Sequence, residues 1–414
     1  SDIYAVGNFT SAGFAAVSGI ARWDGTEWSQ VGTGAGATDK WGSPGWLRAA
    51  AIYDGKLVIA GQFEAVDGVP AKNIAAWDGA NWSPVGGGLH GPEAWSFIDV
   101  RSLLTVGNTL YAGGEFEMAD GVWSEPDQWG DTHLITAVTV NSVAAWNGTA
   151  WSAVGDGVQM VESGTTNPGK VMSLAFGNNT LYAAGYFNRA DGKAVNYIAQ
   201  FSGGNWSALG SGVKPEDFSS DSPINALVFA DNTLYVGGNF TAAGGKPIDL
   251  LAAWNGAAWS EVAGGINDEG FDQVYALGVA PSGLVAGGNF RVISDKLVWN
   301  VALLAGGEWV ALGKGVSSDF SDSPGKPYAL ASDDAGNIYV GGDFTRLGGV
   351  PAKNIGMWDG TRWHNLGDAD GYVSALAIGN GFLFSGGNFT QIGGVSASHV
   401  AVMALDTGKW SALG

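Results

Sequence analysis

The chain has 414 residues and a net charge of −20, with 39 acidic and 19 basic side chains, 68 glycines, 19 tryptophans and no cysteine. The charge repels polyanions, which excludes nucleic acid and anionic membrane surfaces as partners, and the lack of cysteine excludes disulfides, thiolate metal sites and a cysteine nucleophile. An aromatic content of 12% argues against disorder, and no apolar run nears the ~18 residues of a membrane span, so no membrane insertion is expected.

Taken in chain order, three short phrases recur. The first ends in Gly-x-Phe and opens the chain at Ile3-Tyr4-Ala5-Val6-Gly7-Asn8-Phe9. It returns at Leu110 to Phe116, Leu234 to Phe240 and Ile338 to Phe344. Its last glycine falls at Gly7, Gly61, Gly114, Gly185, Gly238, Gly288, Gly342 and Gly387, at spacings of 45 to 71 residues. The second phrase, Ile-Ala-x-Trp-Asp-Gly-x-x-Trp, is clear from Ile74 to Trp82 and from Ile355 to Trp363. Variants run from Val143 to Trp151, Ile198 to Trp206 and Leu251 to Trp259, while Leu304 and Leu405 replace the first Trp before Trp309 and Trp410. Asp-Gly or Asn-Gly between paired aromatics predicts a tight hairpin, because those residues adopt the φ > 0 that the turn demands. The third phrase is small and apolar and precedes the first: Val171 to Ala175, Ile224 to Val228, Val373 to Ala377.

Each unit therefore predicts four short strands, a to d: the small apolar phrase, the Gly-x-Phe phrase, and the two arms of the Trp hairpin. Strands apolar at nearly every position are buried on both faces, and radial stacking of neighbouring sheets supplies that burial. The expected fold is all-β: a single β-propeller of eight blades, each with four antiparallel strands, spanning residues 1–414. The blades fall approximately at 1–46, 47–99, 100–170, 171–223, 224–273, 274–327, 328–372 and 373–414. Ser1-Asp2 leaves no room for strand a, so the first blade lacks its inner strand.

Leu-Tyr-x-Gly-Gly followed by Trp-Asp-Gly-x-x-Trp resembles the Kelch-type propeller pattern. It is closer still to the Gly-Gly-x-Phe-Thr repeats of bacterial surface proteins and fungal Rax2-like polarity proteins. The resemblance covers the whole chain. It implies a secreted or surface-exposed binding protein, in an extracellular, cell-surface or periplasmic setting. Propellers host unrelated activities, so it implies no reaction.

The a–b and c–d turns are short and share one face, whereas the b–c and d–a connections share the other and are long and irregular. Long loops on a rigid scaffold carry function, which places the expected site on that face. Six tryptophans outside the repeat lie in these loops: Trp41, Trp46, Trp95, Trp123, Trp129 and Trp299. Such aromatics stack on sugar rings or anchor a protein partner, or else cap the core. Acidic Asp/Ser loops offer oxygen ligands for calcium, namely Asp217 with Asp221, Asp319 with Asp322, and Asp368 with Asp370. The same residues also build ordinary turns. No other cofactor is expected.

The four histidines, His90, His133, His364 and His399, lie in different units without ligand spacing. The sequence thus reads as a binding or adhesion module for a glycan or a surface protein, without a catalytic set. The alternatives are a polysaccharide lyase or hydrolase at the channel mouth, and a structural part of a surface assembly.

Overall fold

A computed structural model describes residues 2–12, 15–91, 98–124, 134–215, 223–266, 273–318 and 325–411, with the side chain of Trp123 outside that description. The described residues form strands and no helix, so no helix is long and apolar enough to cross a membrane.

The hairpins form for the reason their sequence suggests. Asp78 Oδ1 accepts from the amides of Ala80 and Asn81 at 2.8 and 2.7 Å, and Gly79 takes φ 100°. Asn147 does the same for Thr149 and Ala150. The turn sets Trp77 opposite Trp82, their ring centroids 5.4 Å apart. Trp146 and Trp151, Trp254 and Trp259, and Trp358 and Trp363 repeat the pair at 5.5 to 5.6 Å.

Strands join in the order a-b-c-d. In the second sheet these are Trp46–Tyr53, Lys56–Gln62, Ile74–Trp77 and Trp82–Pro84. Six further sheets repeat this order along the chain, while the first sheet holds only Ile3–Val6, Ile20–Trp23 and Trp28–Gln30. The molecule is thus a β-propeller. Inner strands of successive sheets touch one another. The ring closes where the last sheet meets the first: Trp28 packs edge-on against Phe384 at 6.4 Å, and Val400 and Val402 share a core with Phe9 and Trp23.

Two repeated contacts bind the sheets together. The outer-strand tryptophan of one sheet donates its indole N–H to a carbonyl at the end of the preceding outer strand. This holds for Trp151 to Val85, Trp206 to Val154, Trp259 to Leu209, Trp309 to Val262, Trp363 to Leu312 and Trp410 to Leu366. For Trp151, Trp206, Trp259 and Trp309 the bond satisfies a buried donor that would otherwise cost ~1–3 kcal/mol, while Trp363 and Trp410 are half-buried. These six outer-strand tryptophans are therefore core and staple at once, whereas the outer-strand Trp28 and Trp82 are core alone, their buried indole nitrogens having no hydrogen-bond partner among the described residues.

The second contact lies in the long connections, which the sequence reads as irregular. They are instead a second tier of small sheets. The b–c segment forms a hairpin, such as Ala65–Val66 with Val69–Pro70, and the preceding d–a segment adds Ala37–Thr38 to its edge. The hairpin-turn aspartates then reach back to the preceding unit. Asp67 accepts from the amides of Thr33 and Gly36 at 2.6 and 2.8 Å. Asp191 accepts from Asp156 and Trp206 at 2.7 and 2.6 Å. Buried Asn73, Asn300 and Asn354 each accept from a Gly-x-Phe phenylalanine amide and donate to the next d–a segment. Most of these strands are two residues long and carry no alternation of their own, so little in the sequence announces them; the longest are Met118–Trp123 and Leu134–Thr139.

Candidate functional site at the channel mouth

Strand a enters the ring from the face of the long connections. Near its start every strand a carries a β-bulge that leaves one residue out of register. The seven residues are Arg48, Arg101, Met172, Asn225, Tyr275, Tyr328 and Ser374. A bulge re-aims a side chain away from the pleated surface, and bulges are over-represented beside active sites. The flanking residues of each bulge repeat: an apolar residue before it and Ala or Ser after it. The bulged residue is of five different types among the seven sheets, with Arg and Tyr each occurring twice. All seven are exposed or half-buried.

These residues form a belt around the mouth. Arg48 and Arg101 both face the carboxylate of Asp99, at 3.4 and 2.8 Å. Asp99 is only 1% exposed, and the two guanidiniums leave one positive charge over. The Arg48 guanidinium also lies 5.1 Å from the ring centre of Trp46. Beside them Lys170 pairs with Glu115 at 3.5 Å. Across the mouth, Asn225 donates to the Val274 carbonyl at 2.9 Å, and Gln273 donates to the Tyr275 hydroxyl at 3.1 Å. Tyr275, Tyr328 and Tyr372 follow in an edge-to-face row with centroids 5.3 and 6.2 Å apart. Burial first, then Tyr275, Asp343 and Tyr372, raise the Tyr328 phenol above its ordinary 10.0, so it remains an O–H donor.

The belt runs into a cavity of about 730 Å³ between the last sheet and the second, lined at its mouth by Trp46, Arg48, Tyr372, Ser374, Asn388 and His399. That volume lies within the range of small-ligand sites. Of the belt, Arg48, Tyr372 and Ser374 line this cavity. Together with the arginine pair, the aromatic row and the amides beside it around the mouth, they can hold a ligand that offers flat apolar faces, hydroxyls and an anionic group.

The structure separates the residues singled out in the sequence. Trp46 lies in the belt, at the start of strand a, and is 50% exposed. Trp41 is 78% exposed and stands apart, with Lys40 4.5 Å from its ring centre. Trp299 is half-buried under Arg291 at 5.3 Å, and its carbonyl accepts from Val316. The backbone of Trp123 lies in strand Met118–Trp123. Trp95, Trp129, Asp217, Asp221, Asp319, Asp322 and His133 lie outside the described residues.

Asp368 and Asp370 act as turn acceptors. Asp368 accepts from the Lys353 amide and Asn365, both at 2.9 Å. Asp370 accepts from the Thr390 and Gln391 amides and the Thr390 hydroxyl. Burial opposes its charge, yet these donors bring its carboxyl below the ordinary range. Among the described residues no three His, Asp or Glu side chains gather as a metal cluster. His90 is buried with Nδ1 3.1 Å from the Gly91 carbonyl, and His364 sits 2.6 Å from Asp359.

A family model described as a domain of unknown function (DUF5122) beta-propeller matches residues 54–75. No curated protein matches the chain. Among solved structures, it is similar to the computationally designed Ika8 protein, at 16% identity and TM-score 0.47 over 88% of this chain and 86% of that one. It is also similar to Sqt1 of Saccharomyces cerevisiae, at 11% identity and TM-score 0.45 over 98% and 86%. The extracellular domain of the one-component system BT4673 of B. thetaiotaomicron matches at 12% identity and TM-score 0.43, over 99% of this chain and 46% of that one.

Proposed function

We propose that the protein is a secreted or surface-exposed binding module that holds a glycan at the channel mouth. One observation carries this reading: seven bulges at equivalent positions present side chains of five different types, with the two arginines adjacent and the two tyrosines adjacent, in a molecule where almost everything else repeats. Repeat packing explains a repeated residue. It does not explain an arginine pair on one side of a ring and a tyrosine row on the other.

The chemistry favours a sugar. Tyrosine rings offer apolar faces for pyranose C–H groups, and Asn225, Gln273 and the phenols offer hydrogen bonds to hydroxyls. The surplus positive charge at Arg48 and Arg101 selects a glycan with a carboxylate or sulfate. In a chain of net charge −20 that local sign is opposite to the whole.

The test is a glycan array probed with the intact protein, once with calcium and once with chelator. Binding concentrated on acidic oligosaccharides in both conditions is expected. An array blank in both conditions contradicts the reading and points to a protein partner. Hits that vanish with chelator move the site to the acidic loops.

A further inference from the structure

The repeat departs from itself at the boundary between the fifth and sixth sheets. In each sheet one position of strand c stands opposite an apolar residue near the start of strand b, and in five sheets it is tryptophan: Trp23, Trp77, Trp146, Trp254 and Trp358. In the sixth sheet it is Leu304, opposite Leu284. Strand a changes with it. Phe229 of the fifth sheet stands opposite Leu234, and the same position opposite Leu284 is Val279.

The preceding boundary shows what these two positions fill. There Tyr182 of the fourth sheet stacks on Phe229, with ring centroids 6.0 Å apart and planes 22° apart, and Trp254 belongs to the same core. Tyr235 takes the place of Tyr182 one boundary later, with Val279 and Leu304 in place of the two rings. Smaller side chains leave a void where the surroundings relax only in part. A cavity of about 490 Å³ lies there, lined by Tyr235, Val279, Leu284 and Leu304, with the exposed Asp231, Ser282 and Gly306-Gly307 turn at its rim. Val279 is 50% exposed, whereas Phe229 is half-buried. A Cβ at Gly306 or Gly307 would meet no atom within 4 Å, so the turn leaves the entrance open.

We propose that this cavity binds a small aromatic amine, whose ring stacks on Tyr235 and whose ammonium group pairs with Asp231. The ring takes the space that Phe229 and Trp254 fill one boundary earlier, over an apolar floor of Leu284 and Leu304. The charge follows from the lining, where Asp231 alone among the described residues is ionised and no basic residue stands. Burial first, and then the charge of Asp231, raises the Tyr235 phenol above its ordinary 10.0, so the carboxylate and the stacking ring share one environment. The net charge of −20 adds to the attraction for a cation. The cavity opens on the face of the short turns, opposite the belt, so this inference is independent of the glycan reading.

The test is calorimetric titration of tryptamine, an indole ring bearing an ammonium group, into the intact protein, beside neutral indole and anionic indoleacetate. The expected result is saturable one-to-one binding of tryptamine, with indole and indoleacetate weaker by at least about tenfold. Leu304→Trp restores the side chain that five other sheets carry, fills the cavity and abolishes binding. Asp231→Asn weakens tryptamine at least about tenfold and leaves indole unchanged. The latter variant keeps its turn, because Asn178 holds the equivalent position at φ 50° against 48° for Asp231. No tryptamine binding by wild-type protein that unfolds cooperatively overturns the proposal. So does wild-type affinity for tryptamine in Asp231→Asn, or in a Leu304→Trp variant that folds.

Discussion

The indole nitrogen of Trp206 donates a 2.6 Å hydrogen bond to the carbonyl of Val154, across the boundary between two neighbouring sheets. Trp206 is fully buried, so the bond is shielded from water. Trp206→Phe keeps an aromatic ring but removes the donor and part of the volume. It is expected to cost about 2–4 kcal/mol. Ser207→Ala, at the exposed neighbouring position, should stay within about 0.5 kcal/mol. Chemical denaturation of the two variants checks the difference.

Glycine at the Gly-x-Phe position is tolerated or required according to whether strand a is present. Gly238→Ala drives a Cβ into the Pro223 carbonyl and should cost about 3 kcal/mol or more, or prevent folding. Gly7→Ala meets nothing closer than Phe9, so only the backbone strain of its φ of 158° remains, and it should cost less than Gly238→Ala. Thermal unfolding of the pair measures the contrast, and equal losses would show that the glycine serves the turn rather than the neighbouring strand.

The hairpin aspartates make stability depend on pH. The Glu27 and Thr26 amides and the Thr26 hydroxyl that donate to Asp24 bring its pKa down from 3.8 to about 2. The Asn81 and Ala80 amides lower Asp78 in the same direction. A depressed folded-state pKa stabilises above the unfolded value and the gain is lost as pH falls through the folded value. Stability should therefore be flat above about pH 5 and decline between about pH 4 and pH 2. Asn147 and Asn255 already fill the same turn position in other sheets. Asp24→Asn with Asp78→Asn should therefore preserve the fold at neutral pH and shallow the acid limb of a pH titration of unfolding.

Asp191 ties the second tier to the propeller through the amides of Asp156 and Trp206. Asp191→Ala should cost about 1–3 kcal/mol and raise hydrogen exchange in the hairpin Arg189–Ala190 with Lys193–Ala194. Asp191→Asn retains an acceptor and should recover part of the loss.

The propeller was legible because its signals are local. Asp78-Gly79 between Trp77 and Trp82 dictates a hairpin, and repetition of that hairpin dictates stacked sheets. The belt at the mouth was hidden because a bulge is a property of pairing. Nothing about Tyr275 or Arg101 as residue types marks them as out of register. The available signal is comparative: between a recurring apolar residue and a recurring Ala or Ser lies one position that never settles. Loop tryptophans drew attention instead, and of these Trp46 alone reaches the cavity among the described residues.

The central claim is that ligand meets the belt rather than the outer loops. The most direct measurement is calorimetric titration of the strongest acidic oligosaccharide from the array into wild type, Tyr328→Ala, Arg48→Ala and Trp41→Ala. The account predicts losses of about tenfold or more for Tyr328→Ala and Arg48→Ala, with Trp41→Ala unchanged. Wild-type affinity in both belt variants, with binding abolished in Trp41→Ala, would contradict it.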